Sequence, residues 1–124
     1  MPTTYLTRIV EFSATHRLGT PETFGKAATE HGHRYQCRVT VAGVVEPARK
    51  GVMDLKALDA LIDREIRAPF DGNSLNELLP LPTGEALAVY VWGRLAGELP
   101  AGVRLHAVRI QESPTLYSDY YGEA

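Results

Sequence analysis

From Tyr5 to Thr15 the chain alternates: Leu6, Val10, Phe12 and Ala14 share one parity, while Thr7 and Glu11 take the other. Successive side chains on a strand point to opposite faces, so this pattern predicts a half-buried strand. His16 continues the apolar parity of Phe12 and Ala14. A second strand is predicted from His31 to Val44, with Tyr35, Cys37, Val39 and Val41 on one face and Arg34, Gln36, Arg38 and Thr40 on the other. Between the two, Gly19 to Thr29 is rich in Gly, Pro, Thr and Ala, has no periodicity, and reads as a loop. The stretch Gly43 to Gly51, with Pro47, reads as a hairpin or loop connection.

After that the period lengthens to the helical one. Asp54 is a good N-cap, and Leu55, Leu58, Leu61, Ile62 and Ile66 form one apolar stripe that Pro69 is expected to end. Phe70 to Leu81 is irregular. Thr83 then caps a second helix, in which Leu87, Tyr90, Val91, Leu95 and Leu99 recur at three and four residues before Gly97 and Pro100 close it. Leu105 to Gln111 is a third strand and Leu116 to Tyr121 a fourth. The order β-β-α-α-β-β predicts an α+β fold, an antiparallel sheet with both helices on one face. The other face needs a cover, such as another subunit.

A chain of 124 residues suits one domain, 1–124. The formal charge of -2 and the lack of a basic run argue against a nucleic-acid partner or an acidic membrane surface. No apolar run approaches the roughly 20 residues of a membrane span. The single cysteine, Cys37, rules out a disulfide within the chain and points to a reducing compartment. Met1 to Tyr5 lacks the basic and apolar regions of a signal peptide, so a soluble, cytoplasmic protein is expected.

Chemistry concentrates in the histidines. His31 and His33 are two apart on a predicted strand and therefore share a face, and His16 ends the preceding strand, its natural partner. Three imidazoles without a fourth protein ligand form the pattern of a catalytic zinc site, its open position left for water or substrate. Other first-row metals also accept neutral imidazole, and ordinary surface or core histidines are the alternative. His106, mid-strand without an acidic or histidine neighbour, reads as structural.

Six segments, in order and over nearly the whole chain, match the motifs of one known family. Phe12-Ser13-Ala14-Thr15-His16-Arg17-Leu18 is similar to its Phe-x-Ala-x-His-x-Leu, and His31-Gly32-His33-Arg34-Tyr35 to its His-Gly-His-Asn-Tyr. Val52-Met53-Asp54-Leu55 resembles Val-x-Asp-Phe, and Phe70-Asp71-Gly72-Asn73-Ser74-Leu75-Asn76 resembles Leu-Asp-His-x-x-Leu-Asn. Pro82-Thr83-Gly84-Glu85-Ala86-Leu87-Ala88 resembles Pro-Thr-x-Glu-Asn-Leu-Ala, and Ile110-Gln111-Glu112-Ser113 resembles the closing Val-x-Glu-Thr. Together they resemble the 6-pyruvoyltetrahydropterin synthase superfamily, which includes the bacterial 6-carboxytetrahydropterin synthase of the queuosine pathway. The resemblance implies the tunnelling fold, a barrel built by trimers and usually hexamers of one β-β-α-α-β-β unit. It implies a Zn2+ cofactor on His16, His31 and His33, a pterin-like small-molecule substrate such as 7,8-dihydroneopterin triphosphate, and lyase chemistry. It places Glu112 on the guanidine-like edge of the pterin, a match for a carboxylate's two-oxygen geometry. Thr83 would line the same pocket, although capping alone explains it, and Glu85 would complement the helix dipole.

The chain departs from the family pattern at the catalytic base. The family's cysteine before the His-Gly-His would fall at Ala27 or Gly25 according to the branch, and a third branch's glutamate at Ala28. The Asp-His pair that assists it survives as Asp71, but Gly72 replaces the histidine. Three readings follow: related chemistry with another carboxylate, Glu30, Glu22 or Asp71, of which Glu30, next to His31 on a strand, would point away from the metal; metal-bound hydroxide as the base of a different reaction, hydrolase- or aldolase-like on another small molecule; or pterin binding without turnover. Cys37 shares the parity of His33 but lies about 13 Å further along the strand, and reads as core. Lys26 and Arg34 could meet the triphosphate, but solvated surface charge is the simpler reading, and Trp92 reads as core or interface.

Overall fold

In the computed structural model residues 2–123 are described; Met1 and Ala124, the ends of the domain expected over 1–124, lie outside the described residues. β1 (Thr3–His16), β2 (His31–Val44), β3 (Arg104–Ser113) and β4 (Leu116–Tyr120) form one antiparallel sheet in the order β1-β2-β3-β4. The alternation along β1 and β2 sets its two faces. Val10, Phe12, Ala14, Tyr35, Cys37, Val39 and Val41 are all buried beneath the helices. The register Val10↔Cys37, Phe12↔Tyr35 places matching parities opposite each other, so a slip of one residue would turn the whole set to solvent. Phe12 stacks on Tyr35 at 5.0 Å and meets Phe70 at 5.2 Å, an offset aromatic core under the first helix.

The first helix runs Leu55–Ile62, with Asp54 accepting a hydrogen bond from the Lys56 backbone N–H as N-cap. Leu58, Leu61, Ile62 and Ile66 are buried as the stripe requires, but Leu55 is exposed, since at the first helical position it precedes the turn that reaches the sheet. Pro69 does not stop the helix ahead of itself. A π turn over Asp63–Arg67 widens the coil, and helical structure continues through Ala68–Phe70 until Asp71 turns extended. A proline ring collides with the carbonyl four residues back and offers no N–H, and the wider turn directly before Pro69 relieves both defects. Glu65, on that turn, is buried between Arg64 and Arg94, each donating at 2.8 Å, and so ties the first helix to the second.

The second helix, Gly84–Leu95, is capped by Thr83, whose Oγ1 accepts from the Ala86 N–H, and buries Leu87, Ala88, Val91 and Leu95 against β3 and β4. The segment expected to be an irregular loop over 19–29 instead holds a short helical turn, Pro21–Phe24, followed by a 3-10 turn, Gly25–Ala28. Pro21 at the first position, with its φ preset, favours that local winding. The face of the sheet away from the helices carries Thr7 and Thr40, hydrogen-bonded at 2.7 Å, with exposed Tyr5, Ile9 and Tyr117. Among the described residues no helix is long and apolar enough to cross a membrane.

Candidate functional site

The strand register brings the three histidines together. His16, the last residue of β1, lies directly opposite His31, the first of β2, and His33 is two residues further along the same face, opposite Ala14. Directly opposed and diagonal neighbours on one sheet face are within side-chain reach. The ring centroids are 4.5 Å (His16–His31), 5.1 Å (His16–His33) and 5.0 Å (His31–His33) apart, and one nitrogen of each ring lies within 4.8 Å of the others.

Backbone carbonyls fix two of the tautomers. His16 Nδ1 is 2.8 Å from the Pro82 carbonyl and His31 Nδ1 is 2.7 Å from the Thr29 carbonyl. A carbonyl can only accept, so each Nδ1 carries the proton and each Nε2 presents a lone pair. His16 Nε2 is buried and has no hydrogen-bond partner among the described residues. Such an orphan costs about 1–3 kcal/mol unless something binds it. Burial first, and the neighbouring His16 and His31 rings, hold the His33 pKa below its ordinary value, with Glu112 pulling the other way. Neutral His33 is the form that binds a metal. A buried unused lone pair beside two further imidazoles, with Nδ1–H groups already anchored, fits a three-nitrogen metal site.

Two more groups share this face. Tyr35 is fully buried, its hydroxyl 3.4 Å from His16 Nδ1. Burial first, then the Glu112 charge, raises its pKa, so it stays protonated. Glu112, one residue before the end of β3, is half-buried, and its side chain forms no hydrogen bond or ion pair with another of the described residues. Its charge is felt by both His33 and Tyr35. Its carboxylate lies against Gly84, the first residue of the second helix, just after the capping Thr83. Glu85, on the same first turn, is exposed.

The two carboxylates expected to move protons lie elsewhere in the protomer. Asp71 Oδ1 accepts from the Ser13 N–H at 2.9 Å, beside Arg34 and Arg67, where the 71–74 segment runs along the outer edge of β1. Glu30 Oε1 accepts from Thr15 Oγ1 and Ser74 Oγ at 3.4 and 3.3 Å, with Arg17 at 3.9 Å. Thr15 points away from the His16 face, so Glu30 does too. Exposed Glu22 sits on the first helical turn of the 19–29 segment, where its own backbone and Thr20 hold its pKa down. Gly72 adopts φ 77°, a left-handed conformation, and donates to the Ser13 carbonyl at 2.7 Å. Ala27 and Ala28 lie in the 3-10 turn, where the Ala27 carbonyl accepts from the Leu18 N–H.

The other residues weighed from the sequence are in keeping with their quieter readings. Cys37 is buried opposite Val10, its thiol pushed up to about 12 by burial, which suppresses thiolate chemistry. Lys26 is exposed, and Arg34 donates to Ser13 Oγ on the far face. Trp92 packs edge-on against Tyr120, and His106 packs with inclined rings against Tyr5 and Tyr121. A cleft of about 600 Å³ lined by Met53, Ala57, Leu61 and Leu99 shares no residue with the histidine cluster. Sequence reasoning missed the Pro82 and Thr29 carbonyls and the Tyr35 hydroxyl. Only Tyr35 left a signal, the parity it shares with His33; the carbonyls have none.

The family model for 6-pyruvoyl tetrahydropterin synthase matches residues 5–123. The 6-pyruvoyl tetrahydrobiopterin synthase of Poecilia reticulata is 36% identical over 134 residues, covering 96% of this chain and 90% of that protein. The 6-carboxy-5,6,7,8-tetrahydropterin synthase of Synechocystis is 35% identical over 117 residues, covering 89% and 87%. The structure of Caenorhabditis elegans 6-pyruvoyl tetrahydropterin synthase superposes with a TM-score of 0.88 at 30% identity, over 99% of this chain and 98% of that one. These likenesses run through every strand and both helices, with the tunnelling-type α+β arrangement intact, and the chain belongs to the 6-pyruvoyl tetrahydropterin synthase family.

Proposed function

We propose that this chain is a zinc-dependent lyase of the 6-pyruvoyl or 6-carboxytetrahydropterin synthase type, acting on 7,8-dihydroneopterin triphosphate or a related reduced pterin. The observation that carries the reading is the convergence of three imidazoles, one with a buried unpartnered Nε2, on the face that also holds the unpaired Glu112. His16, His31 and His33 would hold the ion, His16 and His31 through Nε2 because their Nδ1 protons are committed to Pro82 and Thr29. A zinc ion there would polarise a substrate hydroxyl and lower its pKa. Glu112 would accept two N–H groups from the pterin edge, orienting its side chain toward the histidines. Thr83, next to Gly84, would border the same pocket while its hydroxyl caps the helix.

Proton transfer is the step this chain has altered. Cysteine is absent at Gly25 and Ala27, glutamate at Ala28, and imidazole at Gly72. Within one protomer neither Asp71 nor Glu30 faces the histidines. Asp71, exposed on the edge of β1, would serve as base only toward the site of an adjoining copy in a trimer or hexamer; Glu30 is the second choice. A cytoplasmic setting matches the lone buried thiol. The missing relay favours a second reading, a zinc-containing pterin-binding homologue without turnover, because relay members act as a unit.

Elemental analysis and turnover of 7,8-dihydroneopterin triphosphate, on wild type and His31→Ala, test the proposal. Near one zinc per chain with metal-dependent consumption, both lost in the variant, is the expected result. Zinc without consumption of any reduced pterin selects the binding reading. Metal-free wild type after zinc exposure defeats both.

A further inference from the structure

We propose that Gly84 is a positioning residue for ligand recognition: having no side chain, it leaves a notch at the start of the second helix in which the Glu112 carboxylate lodges, and so sets the depth at which that carboxylate meets a ligand. The inference rests on the pterin reading above. A Cβ built on Gly84 would sit 3.0 Å from Glu112 Oε2, 3.4 Å from Glu112 Cδ and 3.4 Å from Ser118 Oγ. Gly84 is buried, and its backbone is not left-handed, so turn geometry does not require glycine here. Glycine at a helical position is ordinarily a cost relative to alanine. Gly93, within the same helix, has nothing within 4 Å of its Cβ position. At Gly84, by contrast, the missing side chain is matched by a carboxylate that no other described residue engages.

The same turn has two further ties to the site. The Pro82 carbonyl orients His16, and Thr83 fixes where the helix begins. Gly84 completes the turn by letting Glu112 lie back against it. One added methyl group leaves the backbone untouched and moves the carboxylate by a few tenths of an ångström. Paired N–H···O contacts depend on the angle and depth of both oxygens, so that displacement should be read directly in affinity.

The test is titration of the zinc-loaded full chain with neopterin, followed by its fluorescence, on wild type, Gly84→Ala, Glu112→Gln and the double variant. Glu112→Gln should weaken binding about tenfold to a hundredfold, the value of a charge-assisted contact. Gly84→Ala should weaken it about threefold to tenfold, a part of that contact. In the double variant the alanine should add nothing, because its only route to the ligand is gone. The thermal midpoint of Gly84→Ala should equal or exceed that of wild type, which separates repositioning from damage to the fold. Wild-type affinity in Gly84→Ala, with binding lost in Glu112→Gln, overturns this inference and leaves the pterin reading standing. Unchanged binding in Glu112→Gln overturns the pterin reading and this inference with it. An additive loss in the double variant, or a Gly84→Ala chain that does not fold, makes the glycine a requirement of packing and refutes the proposal.

Discussion

Zinc removal should lower the thermal midpoint of this protein by about 10 °C, and His31→Ala should erase that difference. The reasoning starts at His16 Nε2, a buried acceptor without a partner among the described residues. In the metal-free chain its desolvation is a standing penalty of about 1–3 kcal/mol. A ligand that binds only the folded state stabilises it by about 2.7 kcal/mol at a hundredfold excess over its dissociation constant. Unfolding entropy near 2.1 cal/mol/K per residue corresponds to about 0.26 kcal/mol/K for a chain of this length. The quotient is about 10 °C, large for any scan. The assay is differential scanning calorimetry of zinc-loaded and chelated protein at matched concentration, repeated on His31→Ala. In that variant one of three nitrogens is gone while the Pro82 anchor of His16 is retained. Equal midpoints for loaded and chelated wild type would refute the argument, as would a full shift preserved in His31→Ala.

Thr83→Ala removes the hydroxyl that accepts from Ala86 and should cost about 1 kcal/mol, read in urea midpoints, with Thr83→Ser close to wild type. In chelated protein the depressed His33 pKa makes stability pH-dependent. Neutral His33 contributes fully above its unfolded value of 6.5, and that contribution is lost as pH falls through the lower folded value, so urea midpoints should drop from pH 7.5 to 5.5 and His33→Asn should flatten the slope. Cys37, with its thiol pushed up to about 12, should resist a thiol reagent at pH 8 until the chain is unfolded; prompt labelling of native protein would contradict its burial. Leu58→Ala should cost about 2–5 kcal/mol while Leu55→Lys stays within about 0.5 kcal/mol, although both fall on the stripe read from the sequence.

Much of this protein is written in local periodicity. The parity of Val10, Phe12 and Ala14, and of Tyr35, Cys37 and Val39, determined which face of each strand meets the helices, because successive side chains on an unbulged strand point to opposite faces. The same parity carried His16, His31 and His33 to that face, and capping chemistry placed the helix starts at Asp54 and Thr83. Leu55 shows the limit of a stripe: periodicity marks the side of a helix, but only docking decides where along it contact begins. Pro69 shows another, since a π turn one step upstream cancels the break a proline ordinarily makes. The tertiary structure alone decided that a carbonyl sixty-six residues away would fix the His16 tautomer, that Asp71 would bind the Ser13 backbone N–H on the edge of β1, and that Gly84 would make room for Glu112. Those relations join residues distant in sequence through backbone atoms or through the absence of an atom. Neither leaves a mark on the order of side chains along the chain.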